Sequence, residues 1–291
     1  MIPSAGVVRG AMAALRVVPF PVARAIGWMA GSLAYAVAAE RRRILLENLT
    51  RTAPAASPRQ RRRLARRTFR NLVDAALHLY RVPRMTRREL LDLVQFEGAE
   101  HLRAALALNR GLIIVTAHLG PYELGGAWLA AQGYDAHAMV EDLAPEVLDA
   151  MAAYRRATGM GLISMKQGVR DVFRLLERNA IVLLVADRAI GDTRGVVEVP
   201  FAGGVRPLPT GPATFAMARA TPIITGRIVR NPARRPRYLV RLEAPIIPAG
   251  RGEAERLRLT RLIADQLSAA VHDHPDQWYV FQPQWITDER D

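Results

Sequence analysis

The stretch GLIIVTAHLGPYELGG, Gly111 to Gly126, decides how the chain folds. An apolar run, Leu112 to Val115, leads into Thr116, Ala117 and His118, and Glu123 follows after a turn containing Gly120 and Pro121. In one continuous helix, residues five apart lie about 140° apart around the axis and cannot face each other. Gly120 and Pro121 break such a helix, and Pro121 suits a first helical turn. The stretch therefore reads as strand, tight turn, helix, with His118 ending the strand and Glu123 in the helix's first turn. In open α/β sheets, ligands bind beyond the carboxyl ends of strands.

The chain downstream repeats this texture. Short apolar runs (LVQFEG, GLIIVTAH, HAMVED, GLISM, AIVLLVAD, VVEVPFAG, PIITGRIV, YLVRLEAP) alternate with helical patterns at about 99–109, 121–132, 144–158, 168–178, 211–220 and 253–272. Such alternation predicts an α/β fold, a largely parallel central sheet flanked by helices with some antiparallel strands late in the chain. PARRP, Pro232 to Pro236, reads as a hairpin loop. Residues 1–92 read as a helical N-terminal part and 93–291 as the α/β core. No Gly/Ser/Pro-rich linker separates a second domain.

Within the helical part, SPRQRRRLARRTFRNLVDAALHLY places Leu64, Phe69, Leu72, Val73, Ala76, Leu77 and Tyr80 on one broad face and most arginines elsewhere, with Ser57 and Pro58 as a start signal. Earlier, Ala25 to Ala39 carries no formal charge. As a helix that run rises about 22 Å, short of the roughly 30 Å of a bilayer's hydrocarbon. It reads as an interfacial or core-packed helix. AYAVAA also fits a signal-peptide cleavage pattern.

With 291 residues, half of them hydrophobic, the chain can bury a core, which argues against extensive disorder. There is no cysteine, so disulfides and thiolate metal sites are excluded. The net charge of +14 implies an anionic partner such as a membrane surface, nucleic acid or a phosphorylated substrate. Lys166 is the only lysine. No nucleic-acid-binding signature accompanies the charge, so no nucleic acid is expected. HDHPDQW superficially suggests a metal site at His272, Asp273 and His274, but no second tight cluster supports it. HxxxxE lacks the HExxH zinc spacing, and neither GxGxxG nor a Walker A arrangement is present.

A carboxylate on one imidazole nitrogen fixes the tautomer and raises basicity, so the other nitrogen can take a proton from a hydroxyl. The alternative reading of His118 and Glu123 is a buried histidine satisfied by a helix-capping glutamate. Glu141 ends HAMVED at the same expected sheet edge. Glu198 points away from Val197, Val199 and Phe201 in its strand. Arg155 and Arg156 in YRRATGM and Arg188 in ADR are candidate phosphate ligands; a solvated or structural arginine is the alternative for each.

The HxxxxE pair with VTAHLGPYELGG, ADRAIGDTRGVVEVPFAGG, PTGPATFAMA and HPDQWYVFQPQW resembles the glycerolipid acyltransferase superfamily, in the branch of lipid A late acyltransferases and phosphatidylinositol mannoside acyltransferases. MVEDLAPE and GVVEVPFAGG are more similar to the mannoside enzymes, although the N-terminal stretch is greasier than theirs. The resemblance implies one acyltransferase domain over 1–291 and a catalytic group of His118, Glu123, Glu141 and Glu198. It favours Arg156 and Arg188 as substrate ligands, and needs no metal or cofactor. Helix-packing core is the default for Leu124, Trp128, Leu129 and Met139, and the lining of an acyl tunnel is the functional reading. The expected donor is acyl-CoA, then acyl carrier protein, and the acceptor a polar lipid. The expected place is the cytoplasmic face of the inner membrane, against an anionic surface, peripheral or shallowly anchored. Lipid A-type acyl transfer, thioester hydrolysis and non-enzymatic binding of an anionic partner are the competing functions.

Overall fold

A computed structural model describes residues 18–140, 154, 157–165, 168–189, 195–233, 235–283 and 285–286. In chain order, the first four helices are α1 (Phe20–Val37), α2 (Ala39–Thr52), α3 (Pro58–Arg81) and α4 (Arg87–Leu91). The core begins with β1 (Val94–Glu97), α5 (Ala99–Leu106), β2 (Leu112–Thr116), α6 (Tyr122–Ala131), β3 (Ala136–Val140) and β4 (Gly161–Ser164). It continues with α7 (Gly168–Glu177), β5 (Ile181–Val185), β6 (Val196–Phe201), β7 (Gly204–Pro209), α8 (Gly211–Arg219), β8 (Ile223–Arg230), β9 (Tyr238–Leu242) and α9 (Glu253–Asp273). Most of the helix expected at 144–158 lies outside the described residues.

Seven strands form one sheet in the order β1-β9-β8-β2-β5-β3-β4. The run β8-β2-β5-β3-β4 is parallel throughout, and β9 turns back antiparallel to β8 across the PARRP loop. The fold class is the one expected. The sequence reading missed β7, which pairs antiparallel with β6 in a separate two-stranded sheet. Its residues, GVRPLP, have no continuous apolar run and carry two prolines and a glycine, all disfavoured in strands, beside the single strand former Val205.

The unbroken apolar runs follow from burial on both faces of the sheet. Ile113 and Val115 of β2 join Val182 and Leu184 of β5 in one core, with α8 and α9. Leu112 and Ile114 join Ile181 in the other, with Leu124, Ala127 and Leu129 of α6. Successive side chains thus divide between two cores, as the pleat requires.

Helix α3 starts with the capping box that Ser57 signalled: its hydroxyl accepts from Gln60 N, and the Gln60 side chain accepts from Ser57 N. Helix α1 lies against α3 through small residues. Ala23, Gly27 and Gly31 are buried, and a Cβ on Gly31 would stand 2.9 Å from Arg70 Cα. The large apolar side chains therefore face outward: Val22, Ile26, Met29, Leu33 and Val37 are 50–73% exposed. Among the described residues, no single helix is long and apolar enough to cross a membrane; α1 and α2, bent by 91°, pass that test only as a pair, by length and composition.

A buried charge cluster ties this helical layer to the sheet. Asp74 of α3, 1% exposed, accepts from Arg24 Nε at 2.7 Å and Arg230 Nη2 at 2.5 Å. Burial pushes its carboxyl up, but Arg230, Arg24 and His78 outweigh that and hold it below the ordinary value. His78 Nε2 meets Tyr238 Oη at 2.6 Å. Burial, only partly opposed by Asp74, pushes the His78 imidazole down from 6.5 to about 3.

His78 is therefore neutral in the fold, while the unfolded chain takes up its proton below pH 6.5. Its contribution to stability is complete above pH 6.5 and is lost as pH falls from there toward 3. Chemical denaturation at pH 7 and pH 5 should show a smaller acid loss for His78→Gln than for the wild type. An identical loss would mean that His78 is not buried in neutral form.

Candidate active site

Two neighbouring parallel strands build the site by ending together. The β2–β5 register runs from Leu112 opposite Ile181 to Thr116 opposite Val185. Ala186 N donates to Thr116 O at 3.0 Å, which carries the alignment past the strand ends. Continued two residues further, the same offset sets His118 opposite Asp187.

The turn after His118 depends on glycine. Gly120 has φ of +62°, and a Cβ there would lie 1.9 Å from Ile228 O. Its N–H donates to Gln277 O at 2.8 Å, and Tyr279 N donates to His118 O at 2.8 Å. Leu119 forms an antiparallel bridge with Trp278. The segment after α9 is thus laced to the turn, which brings the Trp278 indole to Asp187.

Asp187 is fully buried and collects three donors. His118 Nδ1 lies 2.7 Å from Oδ1, while His118 N at 3.0 Å and Trp278 Nε1 at 2.7 Å both donate to Oδ2. Burial pushes the carboxyl up, but His118 and the Trp278 hydrogen bond reverse this and bring it down to about 2. An ionised carboxylate only accepts, so Nδ1 carries the ring proton and Nε2 presents its lone pair. No hydrogen bond from a described residue occupies Nε2, and the side chain is 17% exposed.

The carboxylate on His118 Nδ1 is therefore that of Asp187, where the sequence reading put Glu123. Glu123 lies in the first turn of α6 as expected, half-buried, and its backbone O accepts from Tyr154 Oη at 3.1 Å. Asp187 was passed over although ADR had been singled out for Arg188. The usable signal was parallelism: VTAH and LVAD each place an ionisable residue just beyond an apolar strand.

Arg206 of β7 was missed entirely. It is fully buried, with its guanidinium 5.2 Å from the Trp278 ring and 4.7 Å from the Trp285 ring. Burial, joined by repulsion from Arg188, lowers it to about 10 against the opposing pull of Asp187. It remains a cation at neutral pH, close enough to Asp187 and Arg188 to feel both.

Among the other candidates, Glu198 is exposed on β6, opposite Pro207. Glu141 and Arg156 lie outside the described residues. In the HDHPDQW segment, His272 Nδ1 meets Thr52 O at 3.0 Å. No group of three His, Asp or Glu side chains among the described residues can hold a metal ion.

An apolar cavity of about 650 Å³, partly open to solvent, lies between α6 and the sheet. Thr116, Tyr122 and Glu123 border it next to the His118 turn, and Leu129, Met139 and Phe96 line it further in. Tyr122 stands edge-on to the His118 ring at 5.4 Å. Trp128 is not on the wall; it stacks behind Phe96 at 4.4 Å. Leu124 borders a smaller cavity with Leu72, Ala75 and Tyr279.

Residues 3–287 match the family described as bacterial lipid A biosynthesis acyltransferase. The chain belongs to this acyltransferase family. Among curated relatives, it is 30% identical over 218 residues to a phosphatidylinositol mannoside acyltransferase of Mycobacterium tuberculosis strain CDC 1551 / Oshkosh, covering 72% of this chain and 66% of that protein. It is 28% identical over 217 residues to the Mycolicibacterium smegmatis protein of the same name, covering 73% and 69%. The match thus spans about two thirds of the relatives' length.

Losing a donor to a buried carboxylate costs about 1–3 kcal/mol, so Trp278→Phe should be destabilised by that order at pH 7. A carboxylate held down at about 2 supplies stability above 3.8 that is lost as pH falls between the two. The variant's Asp187 starts closer to 3.8, so its deficit should shrink between pH 7 and pH 3 in urea denaturation. A deficit independent of pH would place the effect in packing alone.

Proposed function

We propose that the protein transfers a fatty acyl chain from an acyl thioester to a hydroxyl of a membrane lipid, with His118 as general base. The observation that carries this reading is the His118–Asp187 pair at the carboxyl edge of the sheet, beside an apolar cavity. The acceptor O–H gives its proton to His118 Nε2, and the oxygen attacks the thioester carbonyl. Asp187 holds the tautomer and stabilises the imidazolium. Positive charge from Arg188 and Arg206 favours the tetrahedral oxyanion, whose collapse breaks the C–S bond. The leaving thiolate takes the proton from Nε2, which restores the base.

The apolar cavity suits the acyl chain, with Leu129 and Met139 on its wall. Acyl-CoA is the favoured donor and acyl carrier protein the alternative. The relatives' names support an acceptor of the phosphatidylinositol mannoside type, while the family description supports one of the lipid A type. Glu123, Glu141 and Glu198 belong to the same proposed site by resemblance, as do Arg156 and Arg188. The proposed location is the cytoplasmic face of the cell membrane. There, the outward stripe of α1 would enter the headgroup boundary and the arginines of α3 would meet anionic lipid.

His118→Ala should reduce transfer of radiolabelled acyl chain from acyl-CoA into a polar lipid extract by roughly 10³-fold or more, and Asp187→Asn by about 10²–10⁴-fold through loss of the tautomer. A folded variant of either kind that keeps more than a few per cent of activity would overturn the assignment. Equal thioester consumption with and without acceptor would identify a hydrolase instead. Replacing Ile26, Met29 and Leu33 by serine should weaken sedimentation with lipid vesicles, yet leave transfer to a detergent-dispersed acceptor nearly unchanged. Undiminished sedimentation would remove α1 from the membrane contact.

A further inference from the structure

A second, polar groove of about 1280 Å³, partly open to solvent, lies where α1, α3 and the end of β8 meet. Trp28, Arg67, Arg70, Arg230 and Asn231 line it, with the Asp273–Gln277 segment on the far wall. Neither His118, Asp187 nor any wall residue of the apolar cavity borders it. We propose that this groove binds the phosphate of an anionic membrane lipid headgroup, at a site apart from the His118 centre.

The donor set carries the argument. Arg67 and Arg70 are three apart on α3, so their side chains share one helix face. Arg70 commits only Nε, to a neutral partner, Ser32 Oγ at 2.8 Å. Arg67 commits Nε to Asp276 at 2.9 Å. The terminal nitrogens of both have no hydrogen-bond partner among the described residues. Two guanidinium heads with spare N–H groups in one groove form the fork that phosphate oxygens fit. The acidic groups are already engaged: Asp276 is bonded by Arg67 and Asn71, and Asp273 lies 3.9 Å from Arg227.

The surroundings decide in favour of a lipid phosphate over a free one. Trp28, 37% exposed, sits at the groove on the helix whose outward stripe is Val22, Ile26, Met29 and Leu33. Ser32, which orients Arg70, belongs to that helix as well. Acyl chains along the stripe would bring their phosphate to the height of the arginines, with Trp28 at the boundary between apolar and wet.

The test uses the full chain in nonionic detergent, titrated calorimetrically with glycerophosphoglycerol, the deacylated headgroup of phosphatidylglycerol. We expect saturable binding at one site. Arg67→Gln with Arg70→Gln should weaken it at least tenfold and should weaken sedimentation with phosphatidylglycerol vesicles. Arg62→Gln with Arg63→Gln removes the same charge from exposed positions of the same helix and should leave the titration unchanged. Equal effects of the two pairs on the titration would reduce the groove to diffuse surface charge and overturn the site. Lack of saturation by the wild type would do the same. Inorganic phosphate binding as tightly as glycerophosphoglycerol, with vesicle sedimentation indifferent to Arg67 and Arg70, would overturn the lipid assignment. Thermal unfolding checks each variant, and Arg70→Gln alone replaces the pair if the pair does not fold. None of these measurements depends on acyl transfer, so they stand or fall separately from the proposed reaction.

Discussion

The Asp187 carboxylate, ionised and without solvent contact, constrains the molecule more than any other group. A buried charge is tolerated only when donors and counter-charge converge on it. Here three donors come from two distant places in the chain: the backbone and ring of His118, and the Trp278 indole. A shift of one residue between β2 and β5 would remove His118, and loss of the bridge at Leu119 would remove Trp278. Register, turn geometry and the return segment after α9 therefore have to be right together.

That return segment is also where the N-terminal helices attach. Asn48 of α2 donates to Val280 O at 2.9 Å and accepts from Trp285 Nε1 at 2.7 Å. Asn71 of α3 donates to Asp276 O at 2.9 Å. Asp74 repeats the logic of Asp187 on the other side, with Arg24 and Arg230 reaching it from α1 and β8. The helical layer is thus bound to the site by specific polar contacts as well as by apolar area. Polar contacts of this kind penalise mispairing, because a misplaced layer leaves buried charge uncompensated.

These dependencies explain what could be read in advance. The α/β class was legible because β2, β5 and β8 are buried on both faces and so appear as unbroken apolar runs. The Ser57 cap and the Gly120–Pro121 turn were legible because their chemistry is local. Asp187 was not, since nothing near Ala186 says which strand lies beside β5; that is a property of the sheet order. Arg206 hides for a similar reason. Arginine in GVRPLP reads as surface, and groups that favour its burial, among them the rings of Trp278 and Trp285 more than seventy residues away and the Asp187 carboxylate, lie elsewhere in the chain. The run at 25–39 reads only as an interfacial or core-packed helix; in α1 the small residues pack inward and the large ones face out, the inverse of an ordinary amphipathic helix.

The glycines of α6 link this packing to the cavity. At Gly126 a Cβ would meet Met160 Sδ at 2.4 Å, so the helix can approach the sheet side only without a side chain there. At Gly125 a Cβ would find nothing nearer than Ile228 Cγ2 at 3.9 Å, so the missing side chain leaves empty space beside the cavity wall. One glycine therefore allows the helix to sit close, and the next keeps the space beneath it open. Both follow within eight residues of His118, so the segment that begins at this imidazole also shapes the apolar room beside it. A strand, a turn and one helix are enough to place an imidazole beside a hydrophobic cavity. The remainder of the chain supplies the buried carboxylate that holds one imidazole nitrogen of His118.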